Sequence, residues 1–139
     1  MQFRAATRED LSEIAKYTQA SYIPDCKGVV IANEEGRLQA GFIFDSFTRS
    51  SCQAHLYVGN KMVFRHGFLE EVANYVFNTC NLLVVIAKVP EDNAAARKLN
   101  RHIGFEDIAL IDDACDVGIG YAIMQLRRED CKYLDKEVH

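Results

Sequence analysis

LLVVIAKVPEDNAAARKLNRHIGF, residues 82–105, reads as a buried strand, a sharp polar turn, a short basic helix and a glycine stop. Residues 82–87 form a continuous apolar, largely β-branched run, the composition of a central strand covered on both faces. Pro90 ends that strand, and Asp92 or Asn93 can cap the helix that follows. The basic residues Arg97, Lys98 and Arg101 sit towards the negative end of the helix, and Gly104 supplies a left-handed stop.

On the N-terminal side, residues 2–6 read as a first strand. Thr7-Arg8-Glu9-Asp10 then has the spacing of a capping box before Leu11, Ile14 and Ala15. An irregular stretch between Tyr17 and Gly28 contains Tyr22, Pro24 and Asp25, with room for one or two helical turns at most. Residues 29–33 and 38–44 make an antiparallel hairpin, with Gly36 at the turn position that needs positive φ. Residues 45–51 read as a polar loop, and 54–58 as a strand with His55 and Tyr57 on one face and Ala54, Leu56 and Val58 on the other. From Gly67 to about Asn78 the period changes to helical, with Phe68, Leu69, Val72, Ala73 and Val76 on one stripe.

On the C-terminal side, residues 107–111 and 119–126 read as two strands joined by Asp112-Asp113-Ala114-Cys115-Asp116, and 127–139 as a polar tail. The order β-α-β-β-β-α-β-α-β-β implies one α/β domain over residues 1–126, a mixed and mostly antiparallel sheet flanked by helices.

Composition narrows the function. The chain of 139 residues is long enough for a single core without staples. No apolar run approaches the ~20 residues of a membrane span, and Met1 leads straight into a patterned strand, so a cytoplasmic location and no membrane partner are the expectation. A net charge of −4 with scattered basic residues argues against nucleic acid and suits a cationic substrate. Five cysteines without a C-x-x-C pair point to free thiols, no disulfide framework and no metal site. Cys52 and His55, three apart on an extended strand, face opposite ways and cannot form a nucleophile–base pair.

The order Asn93, Ala95, Ala96, Leu99, Gly104, Phe105 after a buried strand resembles the second half of the core of the GNAT superfamily of N-acetyltransferases. Residues 3–15, FRAATREDLSEIA, are similar to the first strand and helix of many of its members. Gly67 to Val72, followed by Tyr75-Val76-Phe77, looks like the cofactor helix of the ribosomal-protein N-acetyltransferase branch. The acyl-CoA loop is degenerate: Phe64 stands where the family has Gln or Arg, and Leu69 where it has Gly or Ala.

The resemblance implies a GNAT-like fold and an acetyl-CoA-dependent N-acetyltransferase in which an amine attacks the thioester directly. It places the pantetheine amides on the backbone of Leu56, Tyr57 and Val58, and the oxyanion on an N–H near Val58. The phosphates fall on the loop Phe64, Arg65, His66, Gly67 and Phe68, whose helix start also suits an anion physically. Asn93 contacts the pantetheine arm in this pattern, and Arg97, with Lys98 and Arg101, could reach the phosphates, a solvated basic helix face being the alternative for at least two of them. The family's acid is a Tyr at the position where this chain has Asn100, and an amide cannot donate that proton.

The leaving thiolate, with a conjugate acid near ~8.5, departs without full protonation. The acceptor is the harder half, because freeing a lysine-like amine of pKa ~10.4 at neutral pH costs about 4.6 kcal/mol, against about 1 to 1.4 kcal/mol for an α-amine. His55 is the candidate base on residues 54–58, and its alternative role is that of a packed or surface histidine. Tyr22, Asp25, Asp112 and Asp113 are the candidate acceptor wall, with Asp116 beside them, and a polar loop is their alternative. The acceptor is a small-molecule amine or a peptide or protein amine, and the chain a monomer or homodimer. The competing function is a GNAT-fold protein with weakened or lost catalysis that serves as a CoA-binding or interaction module.

Overall fold

A capping box starts the first helix: Thr7 Oγ1 accepts from the backbone N–H of Asp10 at 3.2 Å, and Asp10 Oδ2 accepts from that of Thr7 at 2.8 Å. The computed structural model describes residues 1–18 and 27–134. Strand β1 (Gln2–Ala5) leads into helix α1 (Arg8–Thr18), and the chain then forms β2 (Lys27–Ala32), β3 (Leu38–Asp45) and β4 (Ser51–Val58). A 3-10 turn (Lys61–His66) precedes helix α2 (Phe68–Ala73), which continues as a π-helical stretch (Asn74–Thr79). Strand β5 (Val84–Pro90), helix α3 (Ala94–Ile103) and the hairpin of β6 (Glu106–Asp116) and β7 (Ile119–Arg127) complete the order.

The seven strands lie in the order β1-β2-β3-β4-β5-β7-β6. Every pairing is antiparallel except that of β4 with β5, which is parallel and joins only Ser51–Gln53 to Val84–Ile86. Beyond Gln53 and Ile86 the two strands part. The crossover between them, through α2, covers one face of the sheet, where Phe44, Phe68, Phe77 and Met124 are wholly buried. Helix α1 covers the other face, with Leu11, Ile14 and Ala15 on Val30 and Ile43. Gly41 permits that approach: a Cβ there would meet Ile14 Cδ1 at 2.7 Å.

Several boundaries differ from those expected. Asp45 and Ser51 are not loop residues but close β3 and open β4, leaving 46–50 as the connection. Residues 112–116 do not form a loop either; β6 runs through them, its register against β7 shifting between Ile111 and Asp116, and the turn falls at Val117-Gly118. Residues 128–134, polar by composition, continue the fold: Arg128–Asp130 form a 3-10 turn, and Cys131 and Leu134 enter the core. Arg128 closes the end of the π stretch, donating to the Phe77 carbonyl and, at 2.9 Å, to Asn78 Oδ1.

Arg4 and Asp10 tie β1 to α1 through a two-pronged pair, one bond of which is Nη2 to Oδ1 at 2.9 Å. Burial pushes the Asp10 carboxyl up, but bonds from Arg4 and Thr7 outweigh it and hold the group below its ordinary value of 3.8. A depressed pKa contributes stability that is present above 3.8 and lost as pH falls through the lower folded value. The gap in thermal stability between the wild-type chain and Asp10→Ala is therefore expected to narrow as acid is added below pH 3.8, and a gap independent of pH there contradicts the pairing.

Candidate functional site

Where β4 and β5 separate, a cleft of about 540 Å³ opens. It passes through the sheet, because its walls include Tyr17 of α1 on one face and Leu99 of α3 on the other. Strand β4 contributes Ala54, His55 and Leu56, and β5 contributes Lys88 and Val89. Past Gln53 the edge of β4 that faces β5 has no strand partner, so its N–H and C=O groups are available to an extended, amide-bearing ligand.

Helix α3 meets the cleft with Asn93, Ala96 and Asn100. Asn93, rather than Asp92, is the cap: its Oδ1 accepts from the Ala96 N–H at 3.1 Å. Asn100 is 8% exposed, and its Nδ2 lies 3.9 Å from Met124 Sδ, a weak acceptor. Arg97 is not at the cleft. Its Nη1 donates to the Glu91 carbonyl at 3.2 Å and its Nε is buried without a hydrogen-bond partner among the described residues, so the guanidinium ties into the turn before α3.

Strand β4 sets two groups on the α1 face, of which His55 lines the cleft and Tyr57 does not. Tyr57 stacks on Tyr17 with ring centroids 4.3 Å apart. His55 Nε2 lies 3.0 Å from Asp45 Oδ2. Asp45, a loop residue by its sequence context, is the last residue of β3. The signal for it is the hairpin itself: with β3 one residue longer, a short connection brings position 45 back beside position 55.

The remaining expected residues are distributed unevenly. Val58, Phe64, Arg65, His66, Gly67 and Phe68 do not line the cleft. Phe68 is fully buried and Phe64 packs against the core, so their side chains serve packing and only their backbone is left for a ligand. The expected strand-to-helix loop is a 3-10 turn, capped by Asn60 through Met62 N–H at 3.0 Å. Gly67, at φ 77°, turns that segment into α2. Leu69 points into the core, so the bulk that departs from the family pattern stays away from the helix start.

Asp112 and Asp113, the expected acceptor-wall residues, are exposed on β6 and do not line the cleft; Asp113 accepts from the Gly118 N–H at 2.7 Å. The register shift in β6 sends Cys115 and Asp116 to the cleft in their stead. Tyr22 and Asp25 lie outside the described residues. Lys88 and Tyr17 carried no distinguishing sequence pattern, since one is a polar position in an apolar strand and the other an exposed helix residue. Burial, with Cys80 and Asp45 adding to it, pushes the Cys52 thiol up to about 12, which removes it as a nucleophile. Among the described residues no group of His, Cys, Asp and Glu is arranged to hold a metal, and no helix is long and apolar enough to cross a membrane.

By sequence the chain matches no protein-family model and no curated protein. By structure it is similar to the spermidine N-acetyltransferase SpeG from Vibrio cholerae. A point mutant of that enzyme superposes with a TM-score of 0.76 at 15% identity, over 98% of this chain and 97% of the other. Its complex with CoA and spermine gives 0.72 at 13% identity, over 93% and 96%. A dodecameric form in an intermediate state gives 0.72 at 14%, over 92% and 94%. With its parted β4 and β5, mostly antiparallel sheet and flanking helices, the chain has the GNAT-like acyl-CoA N-acyltransferase fold.

Proposed function

We propose that the protein is an acetyl-CoA-dependent N-acetyltransferase that moves an acetyl group to a primary amine by direct attack in a ternary complex. The observation that carries this is the cleft between β4 and β5, which passes through the sheet and has an unpaired strand edge as one wall. Acetyl-CoA enters from the α3 side, its pantetheine amides pairing with the backbone of Leu56, Tyr57 and Val58 and its arm passing Asn93. The Val58 N–H polarises the thioester carbonyl, and the pyrophosphate rests over residues 64–68, on the backbone at the start of α2. The amine approaches from the α1 side, past Tyr17 and Asp116, and His55 takes its proton. Support for CoA and a cationic amine comes from the similar enzyme, whose complex contains CoA and spermine.

A second function is favoured by one observation. Asn100 occupies the acid position and its amide is turned to a thioether, so the helix supplies no proton to the leaving thiolate. A GNAT-fold module that binds CoA without turnover would look the same there.

Isothermal titration with acetyl-CoA separates these. Binding is expected at micromolar to millimolar cofactor, followed by transfer to at least one member of a panel of polyamines, lysine-type amines and N-terminal peptides. Binding without transfer to any amine favours the module, and no heat at millimolar cofactor excludes both.

A further inference from the structure

The sheet brings together two side chains that no motif joins, Asp45 at the end of β3 and His55 in β4. The register sets Ile43 opposite His55 and Asp45 opposite Gln53, so the two are diagonal neighbours on the α1 face. Asp45 Oδ2 lies 3.0 Å from His55 Nε2, and the side chains are only 11% and 19% exposed. A carboxylate can only accept, so Nε2 carries the shared proton and the neutral ring keeps its lone pair on Nδ1. That second nitrogen has no protein partner among the described residues, while His55 itself forms part of the cleft wall. Asp45 Oδ1 is buried and likewise has no hydrogen-bond partner among the described residues. Shielding a carboxylate with one oxygen unused is a costly way to fasten a hairpin, since an apolar side chain in its place would pack without that cost.

We infer that Asp45 is a positioning residue, which holds His55 in the Nε2–H tautomer so that Nδ1 is the atom that receives the acceptor's proton. The inference rests on the proposed N-acetyltransferase activity and adds to it the group that orients its base. Nδ1 takes one proton from the bound ammonium, and the freed nitrogen lone pair forms the C–N bond at the thioester carbonyl. As the C–S bond breaks, the second nitrogen proton passes to the departing thiolate. The imidazolium then returns its proton to solvent, and Asp45 keeps its hydrogen bond from Nε2 throughout.

A double-mutant cycle tests this in the full chain. Asp45→Asn is expected to lower kcat for amine acetylation by about 100-fold while leaving KM for acetyl-CoA unchanged. In a His55→Gln background the same change is expected to cost nothing further, because its effect runs through the ring it orients. Equal losses in both backgrounds, in a wild-type enzyme that turns over, overturn the role of Asp45 and leave the acetyltransferase intact. A wild-type chain that binds acetyl-CoA yet acetylates no amine overturns both. Nitrogen NMR of the histidine-labelled wild-type protein covers the case of a variant that does not fold. The neutral ring of His55 is expected to carry its proton on Nε2, and a proton on Nδ1 overturns the inference.

Discussion

His55→Ala is expected to lower kcat for acetylation of a strongly basic amine by about 10²- to 10⁴-fold, the range that a positioned general base contributes. The cofactor-binding enthalpy should hardly change, because the backbone of β4, and no side chain at position 55, is the proposed partner of the pantetheine amides. The chemistry divides unequally between the two reactants. A thiolate leaves unaided, whereas an ammonium cannot attack until it loses a proton, and at neutral pH that costs about 4.6 kcal/mol for a lysine-like amine. His55 lies two residues beyond the last pairing of β4 with β5, where the cleft begins. The loss should therefore shrink as the acceptor's own pKa falls, and an α-amine of ~7.7–8.0 should suffer least. Steady-state rates across an amine series with graded pKa values measure this directly. A His55→Ala rate within about threefold of wild type on every amine would remove the base from β4.

Phe68→Ala is expected to destabilise the domain by about 3–5 kcal/mol, a large part of the ~5–15 kcal/mol that holds a typical domain folded. Phe68 is the first residue of α2 and is wholly buried. Its ring lies 6.4 Å from that of Phe3 in β1 and 5.8 Å from that of Phe42 in β3, so one side chain joins the crossover helix to two strands. Truncation leaves a cavity that neighbours on three separate elements cannot all relax to fill. The same residue directly follows Gly67, in the segment proposed to hold the pyrophosphate, so on that proposal acetyl-CoA affinity should fall along with stability. Urea unfolding of the two proteins gives the number, and a difference below about 1 kcal/mol would show that this packing is not what seats α2.

The parts of the fold that could be read from the chain share one property: their signals lie within a few residues of each other. Thr7 and Asp10 cap a helix that begins beside them, Gly36 turns the hairpin in which it sits at φ 83°, and Asn93 and Gly104 bracket α3. The candidate site was less accessible. His55 is legible as a candidate because it stands in a strand with clear alternation, and Asn93 because it caps; both line the cleft. Asp45 reads as a loop residue, since a charged residue after the apolar run 40–44 looks like its end, and only the pairing of β3 with β4 shows it to be buried. Asp112 and Asp113 read as loop residues for a related reason. A run of acids reads as a polar turn, whereas it lies at a register shift within β6, with Asp113 at φ 59°, and Asp116 beyond the shift reaches the cleft.

By itself the stretch 82–105 determined a strand, a capped helix and a glycine stop, because periodicity, capping and backbone restriction act between near neighbours. The tertiary structure alone decided what that stretch faces. Limiting the β4–β5 pairing to three residues on each strand opened the cleft. The register of β3 set Asp45 against His55 ten positions away. Both are outcomes of how whole strands align and bury their faces, a global condition on the sheet that no local run of residues encodes.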